Sequence, residues 1–173
     1  IIKNHNGIIE VKSKKGQGTT FEIYLPASAK KLEEKVPEEQ EILKGPGTVL
    51  LVDDEDMIIE VGSEILKALG YDVLAAKSGN EAIDIYERHK DNIDVVILDM
   101  IMPGMGGGET YDNLKEIDPG VKVLLSSGYS IDGEASEILE RGCNGFIQKP
   151  FNIKALSQKL KEIMNGSSLP TKL

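Results

Sequence analysis

From Thr48 onward, short apolar runs alternate with amphipathic segments, and this alternation constrains the fold more than any other feature of the sequence. TVLLVDD at 48–54 is an apolar run that ends in acids, a pattern typical of a strand buried on both faces. MIIEVGSEILKALG at 57–70 has apolar residues at helical spacing and ends on Gly70, which suits a helix C-terminus. Four more pairs follow, with strands at 71–76, 94–99, 121–127 and 145–149 and helices at 78–90, 108–118, 132–142 and 152–166.

Five successive strand–helix units predict an α/β domain with one parallel sheet and helices on both faces. In such sheets, ligands bind at the carboxyl ends of the strands, near the point where the strand order reverses. The side chains at those ends therefore carry the functional prediction. They are Asp53 and Asp54 after the first strand, Asp99 after the third, Ser126 and Ser127 after the fourth, and Lys149 after the fifth.

The three aspartates predict a cation site. Two carboxylates about 4 Å apart repel by roughly 4 kcal/mol at an effective dielectric constant near 20, so a proton or a cation must neutralise them. An all-oxygen set of ligands suits Mg²⁺, which binds few protein groups and leaves room for a phosphate. Lys149 adds a point charge for a phosphoryl oxygen, and Ser127 adds a hydroxyl. A carboxylate nucleophile with these partners suffices for in-line phosphoryl transfer, and its product would be an aspartyl phosphate.

Residues 8–26 have a different pattern, which predicts a β-hairpin. Apolar and polar residues alternate in IIEVKS and in TTFEIYLP, and the glycine-containing KKGQG lies between them. A hairpin of this size is marginal alone and needs a partner layer, which the sequence does not supply. Residues 27–45 are mostly Lys and Glu and predict a charged linker; a short coiled coil is the alternative, although Pro37 would break it. Residues 167–173 are predicted to form a loose tail.

Composition excludes several classes of function. Residues 46–173 hold twelve Lys or Arg against twenty-two Asp or Glu, which argues against nucleic-acid binding. No apolar run approaches the roughly 20 residues needed to span a bilayer, so we expect no membrane contact by these residues. Cys143 is the only cysteine, which excludes an internal disulfide, fits a reducing cytoplasm and predicts a small buried residue. The chain has no initiator Met and no signal peptide, so we expect it to be a piece of a longer protein.

From about Thr48 to Met164 the sequence resembles the response-regulator receiver domain. The resemblance rests on VDDE, ILDMIMPGMGG, LLSSGY and KPF, which occur in the expected order and at the expected distances. Each motif is weak alone, and together they are specific. The resemblance implies a flavodoxin-like, doubly wound (βα)5 fold with strand order 2-1-3-4-5. It also implies a two-component signalling module that accepts a phosphoryl group from a phosphohistidine, with Mg²⁺ as cofactor.

The resemblance implies a role for each strand-end residue. Asp99 matches the phosphorylated aspartate, and Asp53 and Asp54 match the acidic pair that binds Mg²⁺ with it. Ile101 would give a backbone carbonyl to the metal. Lys149 matches the lysine that stands before a proline with a cis peptide bond.

Two further positions match the conformational switch of the family. Ser127 matches the switch hydroxyl, and Phe146 lies where the family carries its rotating aromatic residue. Phosphorylation would alter the face formed by the fourth helix, the fifth strand and the fifth helix. Ile101 and Tyr129 flank the position where the family tunes hydrolysis, and neither suits the orientation of a water molecule. We therefore expect slow self-dephosphorylation.

The N-terminal residues have their own resemblance. NHNGIIEVKSKKGQGTTFEIYLP is similar to the closing hairpin of a histidine-kinase ATP-binding domain, but the other ATP-binding motifs and the phosphoacceptor histidine of a kinase are absent, so this remnant should not bind ATP. The implied domains are a kinase remnant at 1–26, a linker at 27–45, a receiver domain at 46–166 and a tail at 167–173. Together they resemble the end of a hybrid histidine kinase, whose missing N-terminal regions could anchor it in a membrane. The expected partner is a histidine kinase or a histidine phosphotransfer domain, and weak homodimerisation is a further expectation.

Two other functions stay open. One is a receiver fold that only docks and regulates a kinase, although such a module would normally have lost an acidic or lysine position. The other is a Mg²⁺-dependent phosphatase, which would need an acid two residues after its nucleophile, where this chain has Ile101.

Several other features are predicted to have no part in the site. Glu55 and Asp56 are predicted to be acids of a first helical turn, where the helix dipole favours them. His5 and His89 are predicted to be incidental. GMGGG at 104–108 lacks a nucleotide-binding spacing and predicts a flexible loop.

Overall fold

The computed structural model describes residues 2–27, 43–128 and 133–166. The chain divides into two compact units, Ile1–Glu39 and Gln40–Leu173. Most of the predicted linker, Tyr129 and the predicted tail at 167–173 lie outside the described residues. Within the described residues, no helix is both long enough and apolar enough to cross a bilayer.

The first unit contains a short 3₁₀ helix, Lys3–His5, and the predicted hairpin. Strands β1 (Ile8–Lys14) and β2 (Gly18–Tyr24) pair in antiparallel register, with Val11 opposite Phe21. The turn between them requires glycine at Gly16, whose φ is +80°. No described residue of either strand is buried, and Phe21 is 62% exposed. The described residues of the first unit therefore provide the hairpin with no partner layer.

The described residues of the second unit form five strands and five α-helices in alternation. The strands are β3 (Thr48–Val52), β4 (Asp72–Ala76), β5 (Val95–Asp99), β6 (Val123–Ser127) and β7 (Gly145–Gln148). The helices are α1 (Asp56–Ala68), α2 (Gly79–His89), α3 (Gly107–Ile117), α4 (Glu134–Glu140) and α5 (Ile153–Met164), with a 3₁₀ helix at Lys90–Asn92.

All five strands are parallel and lie in the order β4-β3-β5-β6-β7. Numbered within this unit, the order is 2-1-3-4-5, so the predicted flavodoxin-like fold is confirmed. The order reverses between β3 and β5, because the chain first adds β4 on one side and then β5 on the other. The carboxyl ends of β3 and β5 therefore flank the predicted ligand position.

Each central strand contributes side chains to two separate cores. In β3, Leu50 and Val52 pack in the core under α2, α3 and α4, whereas Val49 and Leu51 pack in the core under α1 and α5. This alternation follows from the two-residue period of a strand. All four side chains are at most 2% exposed, which explains why residues 49–52 are all apolar.

Local hydrogen bonds and backbone conformation explain several element boundaries. The hydroxyl of Ser78 accepts a hydrogen bond from the Glu81 N–H at 3.2 Å at the start of α2. Gly70 adopts φ +94° after α1, which confirms the predicted helix end. The strand predicted at 48–54 ends earlier, at Val52, because Asp53 Oδ1 accepts the Glu55 N–H at 3.1 Å and turns the chain.

The glycine run after β5 contains a position fixed by packing. A Cβ atom on Gly107 would lie 2.5 Å from the Asp99 carbonyl oxygen and 2.7 Å from Met100 Cα. The Gly107 N–H also donates to the Met100 carbonyl at 3.0 Å. The sequence predicted a flexible loop here, and the structure gives Gly107 a steric role that no sequence pattern indicated.

We expect Gly107→Ala to lower the free energy of unfolding by about 2 kcal/mol, because the added methyl group overlaps backbone atoms that cannot move independently. Urea unfolding followed by circular dichroism measures the change. Gly128→Ala is the matched control, since a Cβ there meets no atom of the described residues within 4 Å. Equal stability of the two variants would contradict the steric role of Gly107.

Candidate functional site

The carboxyl ends of three strands bring Asp53, Asp99 and Lys149 into direct contact. Asp53 directly follows β3, Asp99 ends β5, and Lys149 directly follows β7. The Lys149 ammonium donates to Asp53 Oδ2 and, at 2.7 Å, to Asp99 Oδ1. Asp53 is 2% exposed and Asp99 is 6% exposed, so both ion pairs are largely shielded from water.

Strand alternation explains why these side chains meet. Asp99 lies two residues after Ile97, and Lys149 lies two residues after Ile147, so both share a sheet face with core residues under α1 and α5. Asp53 follows Leu51 by the same two-residue step. The parallel ladder continues into the site, because the Asp53 N–H donates to the Ala76 carbonyl at 3.1 Å.

Burial and charge act in opposite directions on Asp99. Burial raises the pKa of this carboxyl group, the Lys149 ammonium lowers it, the Asp53 charge raises it, and the net shift is upward. For Lys149, burial is the largest single effect and lowers the pKa, but the hydrogen bonds to Asp53 and Asp99 and the charges of both residues together raise it more, so the net shift is also upward. The ammonium is therefore held in its charged form between two carboxylates.

The carboxylates offer ligands for a cation. Oxygen atoms of Asp53, Asp54 and Asp99 all lie within 4.8 Å of one another, and Asp54 is the exposed member of the group. Three carboxylates carry more negative charge than one lysine can neutralise. Hard oxygen donors with one side open to solvent fit Mg²⁺, because this ion keeps several of its waters. The structure therefore brings together the three aspartates that were predicted to bind the metal, and their oxygen donors fit Mg²⁺.

Backbone N–H groups orient the buried carboxylates. The Ile101 N–H donates to Asp99 Oδ2 at 3.3 Å, and the Ile101 side chain is 62% exposed. The role predicted for the Ile101 carbonyl stays a prediction. The Glu55 N–H gives the same kind of support to Asp53, a contact for which the sequence gave no signal.

The two predicted switch residues lie on the other face of the sheet. Ser127 follows Leu125 by two residues, and Leu125 belongs to the core under α2, α3 and α4. Phe146 is partly buried and packs against the same core. Ser127 itself is 6% exposed, and its carbonyl accepts the Lys149 N–H at 2.7 Å. The backbone thus joins the switch position to the lysine of the site.

The structure also shows the surroundings of the residues that were predicted to have no part in the site. Asp56 begins α1 and pairs with Lys77, while Glu55 precedes the helix as its N-cap residue. His5 and His89 are exposed. Cys143 is only partly buried, which corrects the prediction of a buried thiol; its Sγ lies 3.1 Å from the Val123 carbonyl. Burial raises the pKa of that thiol.

The peptide bond between Lys149 and Pro150 is cis, as the resemblance implied.

The fold and the acidic site together define a signalling receiver module of the two-component type. Residues 49–161 match the response regulator receiver domain family, and the chain belongs to this family. Receiver domains bind Mg²⁺ at an acidic pocket and interact with histidine kinases or phosphotransfer partners.

Three similar proteins place the chain more closely. The sensor kinase CckA of Brucella abortus is 36% identical over 173 residues, which are 95% of this chain and 18% of that protein. The receiver domain of the hybrid histidine kinase CckA is 34% identical with a TM-score of 0.58, covering 68% of this chain and 99% of that one. The CheX–CheY–BeF₃–Mg²⁺ complex of Borrelia burgdorferi is 30% identical with a TM-score of 0.65, covering 68% and 88%. The chain thus spans under a fifth of the full-length kinase relative.

Asp99→Asn should change how stability depends on pH in Mg²⁺-free buffer. Because the folded-state pKa of Asp99 lies above its ordinary value of 3.8, folding favours the protonated form, and this contribution is lost as the pH rises through the folded pKa. The variant should therefore gain stability over the wild type as the pH rises from about 4 to 7, reaching on the order of 1 kcal/mol.

Urea unfolding at several pH values measures this difference. Asp91→Asn is the control, because it removes one carboxylate from an exposed position outside the site. An advantage of Asp99→Asn that shrinks as the pH rises would contradict the electrostatic account.

Proposed function

We propose that this chain accepts a phosphoryl group from a phosphohistidine onto Asp99, with Mg²⁺, and changes conformation in response. The observation that carries the proposal is the shared contact of Lys149 with Asp53 and Asp99 at the edge of the sheet where ligands bind. A carboxylate nucleophile, a fixed ammonium and an acidic oxygen cluster are the parts that in-line phosphoryl transfer requires.

In the proposed reaction, an Asp99 carboxylate oxygen attacks phosphorus, the bond from phosphorus to the donor imidazole nitrogen breaks, and the imidazole leaves. Lys149 keeps its charge throughout and turns from Asp99 to a phosphoryl oxygen. Ser127 donates its hydroxyl hydrogen to another phosphoryl oxygen. The Ile101 N–H holds Asp99 Oδ2 and so limits rotation of the nucleophile.

Asp53, Asp54 and Asp99 would hold Mg²⁺ with the Ile101 carbonyl. When bound, the ion neutralises both the carboxylates and the incoming phosphoryl oxygens. The exposed position of Asp54 supports access from solvent. A related receiver was solved with BeF₃ and Mg²⁺, which supports this choice of cation.

The proposed output is a shift between two conformations. Movement of Ser127 toward the phosphoryl group would draw Phe146 inward and alter the face formed by α4, β7 and α5. The proposed partner is a histidine kinase or a histidine phosphotransfer domain in the cytoplasm, with weak homodimerisation as a further proposal.

The chain is 36% identical to a sensor kinase over 95% of its length, and this similarity supports an origin in a hybrid histidine kinase. In that case the hairpin at 1–26 is a remnant of the kinase ATP-binding domain. The fragment itself would act only as a phosphoacceptor with weak self-dephosphorylation.

The alternative is a receiver fold that docks without being phosphorylated and regulates an attached or partner kinase. The presence of all four charged residues of the site disfavours it, because a docking module has no need to bury Asp53 and Asp99 beside each other.

Incubation with acetyl phosphate and Mg²⁺, followed by intact-mass measurement, should show the gain of one phosphoryl group in the wild type. Asp99→Asn should gain none, and Asp91→Asn should behave as the wild type. Chelation of Mg²⁺ should abolish the gain. An unmodified wild type, or equal modification of Asp99→Asn, would favour the docking alternative.

The lifetime of the phosphorylated protein is a separate prediction. Ile101 is apolar and exposed beside Asp99, so it offers no group to orient an attacking water. After removal of acetyl phosphate, we expect the added mass to persist for many minutes. Ile101→Asn, which supplies an amide at this position, should shorten the lifetime. A wild-type half-life of seconds would show that another group orients the water.

A further inference from the structure

Ser126 carries a buried hydroxyl that the proposed reaction does not use. The residue is 2% exposed, and its Oγ has no hydrogen-bond partner within the described part of the chain. Buried polar side chains in native proteins are nearly always paired, and an unpaired hydroxyl lowers stability relative to an apolar side chain of the same size. A hydroxyl at this position therefore requires an explanation.

The sheet register places Ser126 next to the phosphoacceptor. Ser126 pairs with Asp99 on β5 and with Ile147 on β7. Residues in register on parallel strands point to the same face, and Ile147 lies in the core under α1 and α5. Ser126 is therefore on the face that carries Asp99, whereas Ser127 is on the opposite face.

The Lys149 side chain reaches Asp99 across the strand that carries Ser126. Lys149 follows β7, and its ammonium contacts Asp99 on β5, two strand spacings or about 10 Å away. The strand between them is β6, and its residue level with Asp99 on that face is Ser126. The lysine side chain therefore spans β6, the strand that carries the Ser126 hydroxyl on the same face as Asp99.

The Lys149 ammonium has a third N–H group that can donate a hydrogen bond to the Ser126 hydroxyl. A lysine carries three N–H donors, and Asp53 and Asp99 accept two of them. Phosphorylation would convert the Asp99 carboxylate into a neutral acyl oxygen and so weaken one of these acceptors. A serine side chain can reach a new partner by rotation about a single bond between staggered positions.

We propose that Ser126 is a positioning residue for Lys149: its hydroxyl accepts a hydrogen bond from the ammonium as the lysine turns from the Asp99 carboxylate to the phosphoryl group. This inference rests on the proposed phosphorylation of Asp99. In the resting protein the hydroxyl has no partner among the described residues, and during transfer it fixes the ammonium over β6.

The test compares the rates of phosphorylation by acetyl phosphate and Mg²⁺, measured by intact mass. Ser126→Ala should slow the reaction by about tenfold, the change expected for loss of one hydrogen bond to a charged group. Ser126→Thr keeps the hydroxyl and should restore a rate close to that of the wild type. Ser157→Ala is the matched control, because Ser157 is equally buried but donates to the Lys154 carbonyl, outside the site.

Two further measurements separate positioning from structure. The melting temperature of unphosphorylated Ser126→Ala should equal or exceed that of the wild type, since the removed hydroxyl has no partner there within the described residues. In a Lys149→Gln background, adding Ser126→Ala should cause no further loss of rate, because the hydroxyl acts through the lysine.

Each outcome decides the inference. A wild-type rate in Ser126→Ala, or an equal loss of rate in the Lys149→Gln background, overturns the role of Ser126 and leaves the proposed function standing. A lower melting temperature with an unchanged rate shows a structural role only and also overturns it. A wild type that gains no phosphoryl group overturns the proposed function, and this inference with it.

Discussion

Neutralisation of buried carboxylates is the constraint on which the organisation of the second unit depends. Asp53 and Asp99 are nearly inaccessible to water, and like charges buried together are unfavourable without a counter-charge. Lys149 supplies that charge from a strand two positions away from β5. Three strands must therefore end at the same edge of the sheet, and a parallel sheet with helical crossovers places all its carboxyl ends there.

Because side chains alternate along each strand, the charged residues of the site and the predicted switch residues lie on opposite faces of the sheet. Asp99 and Lys149 lie on the face under α1 and α5, whereas Ser127 and Phe146 lie on the face under α2, α3 and α4. Besides the phosphoryl contact proposed for Ser127, a change at Asp99 can reach the second face through the sheet. That route lies in β6, because Ser126 and Ser127 are consecutive and point to opposite faces. The Ser127 carbonyl also accepts the Lys149 N–H, so backbone and side chain couple at one point.

The sequence predicted the parallel sheet, because five buried apolar runs leave few other arrangements; the strand order required the family resemblance. Element ends were less accurate: the turn after Val52 depends on the Asp53 side chain, which bonds its own backbone two residues later. Residue types at the strand ends predicted which charges converge. They could not show the shared contact of Lys149 or the close packing of Gly107, because both depend on distances between strands and helices that no local pattern encodes.

Buried polar groups in unfavourable surroundings identify the site in the second unit without reference to the family. Most buried polar groups are paired: the Thr110 hydroxyl donates to the Gly106 carbonyl, and the Tyr86 hydroxyl donates to Asp118. Among the described buried polar side chains, Ser126 has a hydroxyl without a partner, and Asp99 has a carboxyl group whose pKa burial raises although Lys149 pairs with it. These two residues face each other in register at the carboxyl ends of β5 and β6. Because unfavourable surroundings persist where function requires them, their coincidence points to this edge as the place where the molecule changes state.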